Sequence, residues 1–492
     1  MDKARIYPTK YQGLVAERKA EKTGMVESEA SAVQDGKPMM ISAPVAPRLM
    51  AALVGIAVPC LVFGRAVTAV VLILAVVCVF FLPQRDGCLR SLVRQARTPV
   101  GIMVGVTFAL WLPGVVFSLD PLRSVLVWTR MILFVGAAGL IWAAFVEDAR
   151  MLTPSLRALL VGTAIVLAVS LLALFAVPEV LSFVRAKGWL AANAVLGLKG
   201  FASAAMLLVP VVLWSGVRLG GKWIYCAVAE ALGLLVIIGG TVSRSAIAGL
   251  LAMLIVGGAM VVWSRRQRRV TVLAGLAVCA VVIAVLVWLY THPMSPPGAE
   301  APGVMPLWVV DFHRQSIWKF TFGVAMDSPW FGHGINMINY VPGAFDQIPG
   351  YTYFYIPAHP HNWVLEVLAE TGVVGLAPLL VVVAMMLARL TRDYLRSQDS
   401  AILAATAVSI GYWVSGLFNF SFWSAWWQVS FMILLALCLS HRQRPGGGSP
   451  PPAQRAAGTT ATRAVQGKAK RFQTAIDDPP DAHERDRQRA GL

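Results

Sequence analysis

Charged residues are scarce in this sequence. Asp, Glu, Lys and Arg make up only 14% of the 492 residues, whereas 57% are hydrophobic. A soluble globular domain usually carries about 25% charged residues, so the composition excludes that class. The uncharged stretches are long, and runs of roughly 17 to 25 apolar residues can cross the hydrocarbon core of a bilayer as helices. The composition therefore predicts a membrane protein.

These apolar runs recur about twelve times along the chain. We predict an all-α, polytopic membrane protein in which each run is one transmembrane helix. The runs cover 49–64, 66–83, 99–118, 124–145, 157–177, 200–217, 223–241, 245–263, 270–290, 364–388, 401–418 and 424–440.

Acidic residues are fewer than basic ones, 25 against 42, which gives a formal net charge of +17. Such a charge can indicate a nucleic-acid partner, but the basic residues alternate between the connections instead of forming a patch. Basic residues mark the cytoplasmic side of a membrane protein, and the long connection 292–362 contains only Arg314 and Lys319. We therefore predict no nucleic-acid binding, two cytoplasmic termini and an external 292–362 loop. The connections assigned to the cytoplasm hold Arg85, Arg90, Arg94, Arg97, Arg150, Arg157, Arg218, Lys222, Arg265, Arg266, Arg268, Arg269, Arg389, Arg392 and Arg396.

Cysteine is also rare, and none of the six cysteines lies in the external loops. This distribution argues against a disulfide framework and against a cysteine-based metal site. The cysteines are Cys60, Cys78, Cys88, Cys226, Cys279 and Cys438.

The polar ends of the chain differ in composition from the part between them. Residues 1–47 are polar and mixed in charge, which predicts a disordered cytoplasmic leader. Residues 48–440 form one helical membrane domain with the external loop 292–362. From 441 to 492 the sequence is rich in Gly, Pro, Ala, Gln and charge, which predicts a disordered cytoplasmic tail. No inverted repeat of the kind common in secondary transporters is visible.

The external loop contains five of the seven histidines, and histidine is the side chain best suited to proton transfer near neutral pH. Such a cluster on one side of a membrane protein indicates chemistry at the membrane surface. His361 follows Pro360, where a helix leading into the membrane could begin. The positive end of that helix dipole would keep the His361 ring neutral and available as a base. The five residues are His292, His313, His333, His359 and His361.

Other parts of the loop also have recognisable patterns. The spacing over 308–326 predicts a helix that carries Arg314 and Trp318 one turn apart and ends at the turn signal Asp327-Ser328-Pro329. Aromatic residues follow, and they fit either a membrane-interface belt or a platform for sugar rings. These aromatic residues are Tyr351, Tyr353, Phe354 and Tyr355.

Three motifs in order resemble the O-antigen ligase and polymerase superfamily of bacterial membrane glycosyltransferases. The first is Thr241-Val242-Ser243-Arg244-Ser245-Ala246, which opens a membrane run. The second is Arg314 with Trp318 and then Ser328-Pro329-Trp330-Phe331-Gly332-His333-Gly334. The third is His361-Asn362, followed after nine residues by Gly372-Val373-Val374-Gly375. The resemblance covers roughly 200–435; the earlier runs match only in hydropathy.

The resemblance implies a GT-C-like enzyme of the bacterial inner membrane with its active site on the periplasmic face. The donor would be a glycan on undecaprenyl diphosphate, and the acceptor a sugar hydroxyl of lipid A–core or of a growing glycan. His361 would be the general base of an inverting reaction, and Arg244 and Arg314 would stabilise the leaving diphosphate. His359 and Asn362 are further candidates for substrate binding. The reaction would need no cofactor or metal, although alternating histidines can share a metal ion.

Several alternatives stay open at this level. An O-antigen or exopolysaccharide polymerase uses similar donors, as does a protein O-oligosaccharyltransferase. A polytopic transporter or flippase would instead place its ionisable residues near the bilayer midplane. Arg130 and Glu230 fall inside apolar runs and could pair there. Glu366 and Glu370 lie four apart after His361, where they would line the site or serve a structural purpose.

Overall fold

All regular elements among the described residues of this computed structural model are helices, apart from one isolated β-bridge between Gln347 and Phe354. The structure describes residues 45–185, 193–264 and 311–441, with six isolated positions between 269 and 284. We number the α-helices in chain order, omitting three short 3-10 turns. They are α1 (Val45–Ala57), α2 (Arg65–Phe80), α3 (Arg85–Ala96), α4 (Pro99–Leu110), α5 (Leu112–Val116), α6 (Pro121–Glu147), α7 (Leu152–Phe175), α8 (Glu179–Val184), α9 (Ala194–Leu219), α10 (Lys222–Gly240), α11 (Arg244–Ser264), α12 (Phe312–Asp327), α13 (Trp363–Ser397), α14 (Ser400–Ser415) and α15 (Ala425–Ser440).

Many of these helices begin at a polar residue whose side chain accepts a hydrogen bond from the first turn, as an N-cap does. Pro at the first helical position reinforces the start of α4 and of α6. The capping residues are Thr98, Asp120, Asn193, Asp311, Asn362 and Asp399.

The predicted all-α membrane architecture is confirmed, but the number twelve is not. Seven helical spans of the described residues are long and apolar enough to cross a membrane, or eight if α2 and α3, bent by 109°, count as one span. Helices α1, α14 and α15 are apolar but shorter. The seven are Pro99–Val116, Pro121–Glu147, Ala149–Phe175, Ala194–Leu219, Lys222–Gly240, Arg244–Ser264 and Trp363–Ser397.

Several predictions concern residues that lie outside the described ranges. Most of the leader, nearly all of the tail, most of the run 270–290 and the first part of the external loop lie outside the described residues.

The predicted helix of the loop is α12. It begins at Phe312 after the Asp311 cap, and it ends at Asp327 as the turn signal predicts.

Helix α9 is the most buried span of the bundle among the described residues. Helix α9 packs against α10, α14 and α7, while α11 packs on α14 and α15 on α6. A separate apolar cluster lies beneath the loop, where Ile317 and Val324 of α12 meet Ile338, Ile356 and residue Ala369 of α13. This cluster fixes α12 and the loop on one end of the bundle, next to the beginning of α13.

Candidate functional site

The short connection between α14 and α15 holds the candidate base in place. His361 Nδ1 lies 3.0 Å from the backbone oxygen of Asn419 in this connection. A carbonyl oxygen only accepts hydrogen bonds, so Nδ1 is the protonated nitrogen and Nε2 keeps its lone pair. His361 itself adopts a left-handed backbone conformation, with φ of 56°. The geometry gives this ring the tautomer that a general base requires.

The reason for the neutrality of His361 differs from the predicted one. The helix begins at Trp363 with Asn362 as its cap, so His361 lies outside the first turn. Burial, and next the charge of Arg314, lower the pKa of His361 to about 4. Burial and the neighbouring His361 lower the pKa of His359 to about 3. Both rings are therefore neutral near pH 7.

Arg314 of α12 contacts the same α14–α15 connection as His361 does. Its Nη2 donates to the backbone oxygen of Phe418 at 3.3 Å, one residue before the carbonyl that His361 contacts. Its Nη1 is buried and has no hydrogen-bond partner among the described residues. Burial lowers the pKa of Arg314, whereas the charge of Asp311 raises it. A guanidinium stays protonated under these conditions, so Arg314 offers a charged donor beside His361.

Asp311 joins the second arginine to the first. Its Oδ1 accepts from the backbone N–H of Arg314 at 2.9 Å, and its Oδ2 pairs with Nη1 of Arg244 at 2.9 Å. Burial raises the pKa of Asp311, but the hydrogen bonds and charges of both arginines bring it below its ordinary value. Thus Arg244, predicted from a motif about seventy residues away, comes to the same place as Arg314.

His359 and Asn362, the other two predicted site residues, are also here. The rings of His359 and His361 have centroids 4.2 Å apart, and Nε2 of His359 is buried without a hydrogen-bond partner among the described residues. Asn362 uses its Oδ1 to cap α13, accepting from the backbone N–H of Val364 at 3.0 Å and of Leu365 at 3.3 Å. Within the described residues no group of three His, Cys, Asp or Glu side chains could hold a metal.

Glu366 and Glu370 orient the loops around the site. Glu366 accepts from the Ser421 hydroxyl at 2.5 Å and from the backbone N–H of Phe422 at 2.6 Å. The α14–α15 connection is thereby fixed where its carbonyls meet Arg314 and His361. Glu366 is only 1% exposed, and buried carboxylates need donors of this kind.

Glu370 fixes the neighbouring loop. Its carboxylate accepts from the backbone N–H groups of Asn336 at 2.8 Å and Ile338 at 2.9 Å, and from the indole N–H of Trp423. A structural role therefore accounts for the contacts of both glutamates.

The last two motifs of the sequence pack directly on each other. The backbone N–H of His333 donates to Ala369 at 3.0 Å, and that of Val373 donates to Pro329 at 2.8 Å. Gly372 breaks α13 here with φ of 63°. A Cβ on Gly372 would lie 2.2 Å from the Trp330 carbonyl, and one on Gly332 would lie 2.3 Å from that of Glu370. Glycine is needed at both positions for the two backbones to touch.

Comparison with known proteins agrees with the motifs. Residues 229–380 match the O-antigen ligase family. The matched segment contains all five predicted site residues together with Asp311, Glu366 and Glu370. The resemblance inferred from the motifs is thereby confirmed.

Similar proteins include three from Rickettsia species, each with the name "Putative polysaccharide ligase". The chain is 27% identical to that of Rickettsia conorii over 128 residues, which are 25% of this chain and 30% of the relative. It is 27% identical to that of Rickettsia typhi and 28% identical to that of Rickettsia prowazekii, each over 133 residues, 25% of this chain and 31% of the relative. The chain thus spans about a third of the length of the relatives it matches.

Three residues that contact the site residues are not part of the sequence prediction. Asp311 has a sequence signal, since an Asp three residues before Arg314 fits an N-cap at the start of a helix. The carbonyls of Phe418 and Asn419, which lie beyond the matched segment, have none.

The predicted pairing of Arg130 with Glu230 is not among the ion pairs of the described residues. Arg130 instead donates Nη2 to the backbone oxygen of Trp423 at 2.8 Å.

Proposed function

We propose that the chain is a membrane glycosyltransferase of the O-antigen ligase type. It would move a glycan from undecaprenyl diphosphate to a sugar hydroxyl of lipid A–core on the periplasmic face of the bacterial inner membrane. One observation carries this proposal: a neutral histidine with a free Nε2 lone pair lies beside a buried guanidinium donor, Arg314, and Arg244 is linked to the same place through Asp311.

The arrangement suits a direct displacement. The acceptor hydroxyl oxygen forms a bond to the anomeric carbon of the donor sugar, and His361 Nε2 takes the hydroxyl proton. The bond between the anomeric carbon and the phosphate oxygen breaks, and its electron pair leaves with undecaprenyl diphosphate. Attack from the face opposite the leaving group inverts the anomeric configuration.

The arginines provide the charge that the leaving group requires. A guanidinium fork matches the oxygens of a phosphate, and fixed cations stabilise negative charge that develops as the bond breaks. The Arg244–Asp311 pair is about one third exposed on both sides, so it contributes little to stability. Arg244 can exchange Asp311 for a phosphate oxygen at small cost, and no metal or cofactor is needed for this step.

The two buried carboxylates of α13 favour this function over transport. A transporter uses membrane-embedded ionisable groups to bind its cargo. Glu366 and Glu370 are instead occupied by donors from the loops that surround His361.

The test is reconstitution of the purified full chain with an undecaprenyl-diphosphate-linked glycan and, in separate reactions, lipid A–core or a second lipid-linked glycan as acceptor. We expect His361→Ala to lower the transfer rate by roughly 10²- to 10⁴-fold, the usual contribution of a general base. His441→Ala, at the opposite end of α15, is the matched control and should keep the wild-type rate. Transfer to the lipid-linked glycan alone would identify a polymerase. Full activity of His361→Ala would overturn the role of this histidine.

A further inference from the structure

Three aromatic rings in mutual contact lie beside the candidate site and take no part in the chemistry proposed above. His313 stacks on Tyr353, with ring centroids 5.1 Å apart and planes inclined by 30°. Tyr351 contacts both, at 5.1 Å from Tyr353 and 5.6 Å from His313. We call these three rings the His313 platform.

The tyrosines of the platform are mounted on a short hairpin. Gln347 and Phe354 form an antiparallel bridge, and the backbone N–H of Ile348 donates to the oxygen of Tyr353 at 3.0 Å. The turn is Pro349-Gly350, in which Gly350 has φ of 72°, as a type II turn requires. The hairpin therefore fixes the backbone that carries both tyrosines.

The histidine of the platform is held from the other side. Its Nε2 lies 3.1 Å from the backbone oxygen of Phe354, which only accepts, so Nε2 carries the proton. The His313 ring is thus tied to the hairpin, while its backbone belongs to α12. A ligand that stacks here would order few side chains, which lowers the entropy cost of binding.

The platform presents surface that suits a sugar. Tyr353 remains 53% exposed in spite of its stacking. Tyrosine combines a flat apolar ring with a hydroxyl that forms hydrogen bonds. A pyranose has the same two features, since one face carries C–H groups and its rim carries hydroxyls.

The platform is continuous with the candidate site. His313 lies between the capping residue Asp311 and Arg314 on α12. Burial, and next the charge of Asp311, raise the pKa of Tyr351. The charge of His313 contributes, after burial and Arg314, to the lowered pKa of His361. The platform is therefore adjacent, along α12, to Arg314 of the candidate site.

A second set of exposed aromatics has different chemistry. Trp330 is 65% exposed and Phe117 is 70% exposed. The ring centroids of Phe117 and Phe331 are 6.2 Å apart, near the break in α13. Phe117 and Phe331 have no polar group, and Trp330 has only its indole N–H. This second set therefore lacks the hydroxyls that the platform offers to a sugar.

We propose that the His313 platform binds a pyranose ring of the glycan next to the reacting sugar and so orients the chain that enters the site. This inference rests on the proposed function. It names a carbohydrate-binding subsite outside the reacting centre.

The experiment measures binding apart from transfer. The probe is the oligosaccharide released by mild acid from the lipid-linked glycans of the host, and its binding to the purified full chain in nanodiscs is followed by saturation-transfer NMR. We expect Tyr353→Ala to weaken binding by roughly three- to tenfold, as the loss of one ring stack does. Tyr353→Phe keeps the ring and should keep most of the affinity. In transfer assays Tyr353→Ala should raise KM for the glycan and leave kcat unchanged.

Trp330→Ala is the matched control, because it removes a ring outside the platform that is also more than half exposed, and it should bind as wild type does. Wild-type affinity and KM in Tyr353→Ala and in Tyr351→Ala would overturn the proposal, as would equal weakening by Trp330→Ala. His361→Ala separates the two proposals, since it should lose transfer and keep binding. Platform variants that lose binding in a chain without transfer activity would support the subsite and contradict the proposed function.

Discussion

His361 owes its state to its neighbours more than to its place in the sequence. The ring lies outside the first turn of α13, and burial with the charge of Arg314 lowers its pKa to about 4. The same guanidinium that is proposed to bind the diphosphate also keeps the base unprotonated. The two roles can be separated by substitution.

The pH dependence of kcat/KM tests this coupling. A general base acts in its neutral form, so a lowered pKa keeps His361 active down to lower pH. In the wild type we expect the acid limb to fall through about pH 4. Arg314→Gln removes a positive charge, so the pKa of His361 should rise and the acid limb should move to higher pH. It should also reduce kcat/KM by roughly tenfold to a thousandfold, because a donor to the developing anion is lost.

Arg314→Lys is the control for this measurement. It keeps the charge and loses the planar fork, so the rate should fall while the acid limb stays in place. Identical acid limbs in Arg314→Gln and Arg314→Lys would show that the charge does not act on His361.

The predictability of the site differs from residue to residue. His361, Arg244 and Arg314 were predicted from motifs, because their side chains carry chemistry that residue type and spacing indicate. The carbonyls of Phe418 and Asn419 could not be predicted, since every residue has a backbone oxygen and only the fold brings these two to Arg314 and His361. Asn362 is predicted from its motif as a substrate-binding residue. Its side-chain hydrogen bonds among the described residues are those of a helix cap.

At the scale of elements, the break in α13 connects two motifs that lie about forty residues apart. Gly372 has φ of 63° and ψ of −172°, a region that only glycine occupies readily. The break lets the backbone at 369–374 pair with 329–334. Through Glu370 the same part of α13 also holds the loop at 336–338.

Gly372→Ala tests the importance of this contact. The added methyl group would lie 2.2 Å from the Trp330 backbone, and the backbone conformation alone costs about 1–3 kcal/mol for an L-residue. We expect a lower midpoint in thermal unfolding in detergent and a lower transfer rate. Gly323→Ala is the matched control: nothing lies within 4 Å of the added Cβ, and alanine favours a helix by about 1 kcal/mol. Equal midpoints for the two variants would contradict the role of the break.

The helical type of the spans is confirmed, whereas the predicted number of twelve is not confirmed among the described residues. Hydropathy distinguishes membrane helices well because backbone groups in lipid must be satisfied internally. It does not distinguish one straight span from a bent pair, and α2 and α3 turn by 109° within a few residues. Hydropathy also does not give the length of short helices such as α14. The ends of α14 are set by the Asp399 cap and by the α14–α15 connection.

For the whole molecule, the predictions concern which end of the bundle faces outward. The candidate site, α12 and the His313 platform lie at one end, where α13 begins. Arg90 of α3 and Arg392, near the last residue of α13, belong to the other end. The charge distribution predicts that the first end faces the periplasm, where a lipid-linked glycan of the outer leaflet can reach His361.

Cysteine labelling tests this orientation. Ala358 and Ala96 are both exposed, one beside the site and the other at the end of α3. Each is changed to Cys in a chain whose native cysteines are replaced by alanine, and cells are treated with a membrane-impermeant maleimide. We expect Ala358→Cys to react in cells with a permeabilised outer membrane and an intact inner membrane, and Ala96→Cys to react only after the inner membrane is opened. The opposite pattern would place His361 in the cytoplasm, on the side where a donor in the outer leaflet is inaccessible, and the proposed reaction would then have to be abandoned.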